Sequence, residues 1–395
     1  MTEARRAAPP FSATDPYLLD DQLSDDERLV RDTVRAFVRD RVLPTIGEHF
    51  EKGTFPRELM AEVAELGLLG MHLKGHGCAG TSATAYGVAC EEMEAGDSAV
   101  RSFISVQGSL AMFPIWKFGS DEQKERWLPQ MAAGKVIGCF GLTEPDAGSD
   151  PATMRTHARR DGDDWILDGT KMWITNGSIA DIAVIWANTD SGIRGFIVER
   201  GMRGFGARDV TRKLSLRASV TSELTLEGVR VPNGSMLPEV SGLRGPLSCL
   251  TEARFGIAWG TMGAARACFE AARDYSMQRR AFGKPIASFQ LTQEKLVDMA
   301  TALLHGRLVA HRLGVLKDSR GVTPEQVSIA KRSNVRIAID IARTARTVLG
   351  ANGITLEYPV VRHMNNLESV LTYEGTEEVH TLVIGKAITG EDAFS

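Results

Sequence analysis

Cysteine is scarce in this 395-residue chain, with five residues at positions 78, 90, 139, 249 and 268 and no Cys-x-x-Cys pair. An odd, scattered set excludes a disulfide framework and fits reduced thiols in a cytosol-like compartment. The eight histidines form no His-x-x-x-His or His/Cys cluster, so no metal site is expected. No apolar run approaches the roughly 18–20 residues needed to span a bilayer. The first ten residues lack the apolar core of a secretory signal, and Glu3, Asp15, Asp20 and Asp21 argue against a transit peptide. A cytoplasmic location is expected, or the mitochondrial matrix for a processed eukaryotic chain. Net charge is only −4, which removes any global electrostatic case for nucleic acid or an anionic membrane. No Gly-x-Gly-x-x-Gly opens a helix after a strand, and neither a Walker loop nor a Gly-x-Ser-x-Gly elbow is present.

What remains is an ordinary globular composition, 43% hydrophobic and 24% charged, in a chain long enough for two or three domains. Residues 1–24 read as an irregular arm. Helical signals begin with the cap at Ser24 and the acids 25–27, ahead of Leu29, Val30, Val34, Phe37 and Val38. Further helices are predicted over 57–66, with Gly67 as stop, then 84–95, 102–116 and 121–133, with 75–82 as a glycine-rich loop. Near Gly134 the period changes. Strands are predicted over 136–142, 182–187, 195–198, 223–226 and 229–231, with hairpin turns at Asp168-Gly169 and Asn176-Gly177. From Leu247 long helical patterns return over 253–277, 289–316, 324–349, 361–371 and 377–389. The expected architecture is a mainly α chain with an inserted β domain: residues 1–134 helical, 135–240 β, 241–395 a helical bundle.

Five stretches carry chemistry. Glu374-Gly375-Thr376 puts a carboxylate on a corner between two helices, and burial there would raise its pKa toward that of a general base; the same six-residue stretch, 371–376, also reads as a solvated loop acid. The strand exit Phe140–Asp150 offers Thr143, Ser149 and free backbone N–H groups, with Gly141 and Gly148 permitting close approach. Trp173 and Thr175 can flank a planar ring, or Trp173 can be core. Arg279 and Arg280 end a long helix, where they suit a pyrophosphate or the helix dipole. Leu349–Gly353 is a helix end with exposed amides, or only a C-cap.

In this order, 140–150, 171–177, 279–283, 349–353 and 373–376 resemble the acyl-CoA dehydrogenase family, over essentially the whole chain from Ser24. The resemblance implies an N-terminal helical domain, a central β-barrel-like domain and a C-terminal four-helix bundle, with FAD in the cleft between the last two. It implies flavin contacts from Phe140, Leu142, Thr143, Gly148, Ser149, Trp173, Ile174 and Thr175. Arg279, Phe282 and Gln290, with Leu349, Gly350, Asn352 and Gly353, would grip the FAD of a neighbouring subunit in a homotetramer, and Thr376 and Glu378 would contact the adenine half. Glu374 falls on the family's catalytic base. The alternative family position is Ala253, which cannot act, and Glu252 lies about 100° further round the helix. Electrons would pass to an electron-transferring flavoprotein.

Residues 94–102, 105–109, 141–145, 215–219, 252–260 and 372–376 resemble the glutaryl-CoA dehydrogenase branch. By that resemblance Arg101 and Ser102 clamp a distal carboxylate with Glu94 and Tyr373 beside them, and Ser149, Arg254 and Gly375 line the substrate. A buried cation needs an anionic partner, which the substrate would supply; the competing reading pairs Arg101 with Glu94 or Asp97 on a helix surface. Oxidation followed by decarboxylation to crotonyl-CoA is expected, with dehydrogenation of another short or dicarboxylic acyl-CoA as the alternative. Ala99, Val100 and Gly108 depart from the branch pattern.

Overall fold

A computed structural model describes residues 11–240 and 242–394; the first ten residues of the expected arm lie outside the described residues. Helix α1 (Asp25–Phe37) opens on a reciprocal cap in which Ser24 Oγ accepts from Glu27 N–H and Glu27 accepts from Ser24 N–H. Then follow α2 (Leu43–Lys52), α3 (Leu59–Glu65), a short hairpin of β1 (Lys74–Gly75) and β2 (Cys78–Ala79), and α4 (Ala83–Gly96). Helix α5 (Ser98–Ser105) runs through a π-helical stretch, Val106–Met112, into α6 (Phe113–Phe118), and α7 (Asp121–Ala132) closes the region. α2 escapes the sequence pattern because Pro44 and Gly47 read as breakers, yet Pro44 sits in the first turn, where its missing N–H costs nothing. The helix predicted over 102–116 instead begins at Ser98 and carries the π stretch. There Gln107 donates to Met131 O and Val136 O and accepts from Gly138 N–H at 2.8 Å, tying the helices to the first long-sheet strand.

Seven strands form one sheet: β3 (Gly138–Gly141), β4 (His157–Asp161), β5 (Asp164–Thr175), β6 (Ile182–Thr189), β7 (Gly192–Glu199), β8 (Phe205–Asp209) and β9 (Thr221–Pro232). The order is β3-β6-β4-β5-β9-β8, with β7 on β6, and β3 pairs parallel to β6. Neither expected hairpin forms. Asp168 and Gly169 lie inside β5 at a bulge against β9, where Asp168 accepts from Gly228 N–H at 2.7 Å. Asn176, at φ +66°, turns the chain, but β6 pairs away from β5, because β4 lies between them. The predicted strands 223–226 and 229–231 are one strand, β9. β4 and β8 are largely exposed and polar, so no apolar alternation marks them.

Helix α8 (Arg244–Gln278) is about 52 Å long at 1.5 Å per residue. It is followed by the hairpin β10 (Arg280–Ala281) and β11 (Lys284–Pro285), then α9 (Gln290–Arg320), α10 (Pro324–Leu349), α11 (Val360–Thr372) and α12 (Glu377–Thr389). α8 begins against the sheet, with Gly245 beside the fully buried Trp186. Further along it lies flush on α4. A Cβ at Gly260 would fall on the Glu94 carboxylate, and one at Gly263 on the Glu91 carbonyl oxygen. Only glycine permits that approach. Among the described residues no helix is long and apolar enough to cross a membrane, and all five cysteines are free.

Candidate active site

Helix α11 stops at Thr372 and α12 starts at its N-cap Thr376, whose hydroxyl accepts from Val379 N–H at 3.3 Å. The two residues between Tyr373 and the cap, Glu374 and Gly375, stand at φ +53° and +97°. A glutamate in the left-handed region costs about 1–3 kcal/mol and persists only where its surroundings hold it. Here they do. Lys331 on α10 donates to the carbonyls of Tyr373 (2.9 Å) and Gly375 (2.7 Å), and Arg254 on α8 donates to that of Glu374 (2.6 Å). A Cβ on Gly375 would stand 2.9 Å from His380 Nε2, so glycine is needed for space as well as for φ.

The Glu374 carboxylate has a buried oxygen, Oε2, with no hydrogen-bond partner. Burial pushes its pKa up, while Arg101, Arg254 and Lys331 pull against that rise. An unpaired carboxylate with a raised pKa is the arrangement a general base requires. Among the described residues the Glu374 N–H donates to no protein acceptor. His380 is pushed down to about 3, chiefly by burial, so it stays neutral beside these cations.

Arg101 is 1% exposed and bonds Glu94 Oε2 through Nε at 2.6 Å. Ser98 donates to the other Glu94 oxygen at 2.8 Å. Arg101 also donates to the Tyr373 hydroxyl, and burial pushes that phenol up to about 12. The pair is thus interior, not on a helix surface, and Glu94 itself provides the anion that the sequence reading assigned to the substrate. Ser102 Oγ is buried beside it without a partner. The helix carrying Arg101 is capped by Asp97, which also binds Arg362 and Asn366 on α11.

On the sheet side, Phe140 packs edge-on against Trp186, and Ile174 lies in the sheet core, so these two present main chain rather than side chain. Trp173 differs from the other sheet aromatics. A bulge between Lys171 and Ile174 leaves it at φ +64° with its indole 58% exposed. The adjacent loop is anchored by Glu144, which accepts from Arg155 N–H, Thr156 N–H and the buried Lys171 ammonium, while Lys171 also donates to Leu142 O. Thr143 and Thr175 are half-buried there, and Gly148 and Ser149 are exposed.

Arg279, Phe282, Gln290 and 349–353 gather at the other end of the bundle. Arg279 lies 25 residues beyond Arg254 on or next to α8, about 37 Å along the axis. Phe282 stands at the tip of the β10–β11 hairpin, 97% exposed. Asn352 donates to the Tyr275 hydroxyl at 3.1 Å, and Gly353 is pressed against Arg346 O. Glu378 is exposed on the first turn of α12. Glu252 is held by Lys317 at 2.5 Å, while Ala253 is buried.

Sequence reasoning missed Lys331 and His380. The available signal for Lys331 was its place among Val327, Ala330, Asn334 and Ala338 on the apolar face of α10.

Three family models match the chain in order: acyl-CoA dehydrogenase N-terminal domain over residues 24–135, middle domain over 139–229 and C-terminal domain over 241–389. A glutaryl-CoA dehydrogenase from Mycobacterium smegmatis, solved in complex with FADH2, is 58% identical, with a TM-score of 0.96 over 98% of this chain and 100% of that one. A structure reported as the electron-transferring flavoprotein of Acidaminococcus fermentans is 33% identical, with a TM-score of 0.90 over 93% of this chain and 99% of that one. The short-chain specific acyl-CoA dehydrogenase of Bos taurus mitochondria is 36% identical over 92% of this chain and 90% of its own length. With a helical–β–helical order and a carboxylate oxygen left without a hydrogen-bond partner at the corner of its last two helices, the chain belongs to the acyl-CoA dehydrogenase family, oxidoreductases acting on CH–CH donors.

Proposed function

We propose that the protein oxidises glutaryl-CoA between its α and β carbons and releases CO2, giving crotonyl-CoA. The observation that carries this reading is the interior Arg101: Nε is taken by Glu94 and one terminal nitrogen by Tyr373, which leaves donor capacity beside the unpartnered Ser102 hydroxyl. A distal carboxylate fits that gap. Glu374 removes the α proton, the free Glu374 N–H polarises the thioester carbonyl, and Glu374 returns a proton after CO2 is lost.

The chain fits FAD. An exposed indole at Trp173, the braced polar loop 143–149 and Thr175 suit a flat polar ring, and FAD, when bound, accepts the hydride that leaves Cβ. The bundle-end group of Arg279, Phe282, Gln290 and 349–353 is too far along α8 to share a ligand with its own Glu374. It therefore serves a second copy, which supports an oligomer. The likeness to the Acidaminococcus structure supports an electron-transferring flavoprotein as acceptor.

A second reading, oxidation of a short unbranched acyl-CoA without decarboxylation, is favoured by one fact: Glu94 already neutralises Arg101. Anaerobic flavin bleaching with glutaryl-CoA and butyryl-CoA, with CO2 trapped alongside, decides between them. Glutaryl-CoA is expected to bleach faster and release CO2. Arg101→Lys, which keeps the charge but loses the fork, is expected to cut the glutaryl preference about tenfold. Preference for butyryl-CoA with no CO2 establishes the second reading.

A further inference from the structure

We propose that Lys331 is a positioning residue for the base: it locks the two carbonyls flanking Glu374 and so holds that carboxylate where it must meet the substrate. The inference rests on the reading of Glu374 as base. Its ground is geometric. Three successive carbonyls, those of residues 373, 374 and 375, are each gripped by a cation, the outer two by the buried Lys331 and the middle one by the half-buried Arg254. The two grips come from different helices, α10 and α8. A peptide flip that relieved the left-handed angles of Glu374 or Gly375 would have to break at least one of these bonds.

Stability does not explain a lysine there. Lys331 is 1% exposed on the core face of α10, and among the described residues it makes no ion pair within 4 Å. Burying an ammonium against two neutral carbonyls is costly, and an apolar side chain of similar volume would fill the space more cheaply. What the lysine provides that an apolar residue does not is fixed backbone at the base and a positive charge near it.

The charged groups around Lys331 are Glu374 itself, Arg254 on α8, Arg101 on α5 and Glu377 on α12, with His380 neutral. Glu377 is taken up by Arg332 and Arg336. Burial pushes Lys331 down to about 7, and Glu374 opposes that shift. In return Lys331 helps keep Glu374 ionised.

The test compares Lys331→Met, Lys331→Gln and Glu374→Gln as flavin-loaded enzymes. Lys331→Met is expected to lower kcat about 100-fold with KM little changed, since a small misplacement of a reacting group costs that much. Its acid limb in kcat against pH is expected to move upward, because a cation that favoured the carboxylate is gone. Lys331→Gln, which still donates to carbonyls, is expected to recover part of kcat while its acid limb stays shifted. A readout independent of turnover is thermal stability. A lysine at about 7 in the folded chain and 10.5 unfolded makes stability rise with pH across that window, because the unfolded chain binds the extra proton. Lys331→Met is expected to flatten that rise. The proposal is overturned if folded Lys331→Met keeps kcat within about twofold and its acid limb unmoved. It is equally overturned if both Lys331 variants fail to fold, which makes the residue a fold determinant. Undiminished turnover in Glu374→Gln defeats the base reading instead.

Discussion

Glu374, the proposed base, illustrates how a side chain is held against its backbone's own preference. One oxygen of its carboxylate, Oε2, is buried without a partner, and its backbone sits at φ +53°. The raised pKa sets a sign. Between its unfolded value of 4.5 and its higher folded value, the folded chain holds a proton that the unfolded chain has lost. The stabilising contribution is full below 4.5 and disappears as pH climbs through the folded value; above it, the carboxylate is a burden on the fold. Glu374→Gln is therefore expected to raise Tm at pH 8, by about 1 °C for each kcal/mol relieved, while abolishing turnover. A scanning calorimeter reads the first and the flavin-bleaching assay the second; a lower Tm at pH 8 contradicts this account. Wild-type kcat is expected to fall on the acid side at a pH above 4.5, since only the ionised form removes a proton. At this scale the sequence was informative about Glu374, Gly375 and Arg101, because motif spacing carries over to position. It did not reveal Lys331, because its partners are backbone carbonyls 42 and 44 residues away and no side-chain pattern encodes them. The pairing of Arg101 with Glu94 was one of the readings the sequence offered, but on a helix surface; its burial was not legible, since seven residues apart on two separate helices is no regular pairing distance.

Among the elements, α8 sets the spacing of the others. Gly256, Gly260 and Gly263 form a seam against α4, where added Cβ atoms meet Tyr86, Glu94 and the Glu91 carbonyl respectively. Gly263→Ala is expected to force the two backbones apart and cost about 3 kcal/mol or more, because the obstacle is main chain and cannot rotate away. Chemical denaturation measures it, and a loss under about 0.5 kcal/mol would show that the seam has slack. Elements with strong local ends were legible in the sequence. α10 spans Pro324–Leu349 as predicted, since Thr323 and Gln326 cap it reciprocally and a glycine at φ +60° follows. The sheet was less legible. Asp168-Gly169 satisfies the local rule for a hairpin, but the bulge opposite Gly228 keeps the strand running. Pairing across the sheet, between residues up to 68 positions apart, decided the matter, and no window of ten residues contains it.

For the whole molecule, two ends of the bundle carry different groups. Glu374, Arg101 and Lys331 gather near one, while Arg279, Phe282 and 349–353 sit about 37 Å along from Arg254 at the other. Phe282 at 97% exposure, with Met277, Leu291 and Ile354 also exposed, leaves apolar side chains in water that a second copy of the chain would cover. Phe282→Asp is expected to shift the protein toward a smaller species in light scattering and to lower its flavin content at purification by about half or more. An unchanged mass and full flavin content would remove the bundle end from the assembly.

The glycine seam has one more effect. Two rods laid flush have no play, so the ground between α4, α5 and α8, where Glu94 and Arg101 lie, cannot widen by one helix sliding off another. If the acyl group is seated there, as proposed, breadth toward longer or bulkier chains would come from exchanging the side chains between these helices. A relative with the same seam and a roomier tenant should differ at those few side chains and almost nowhere in its main-chain path.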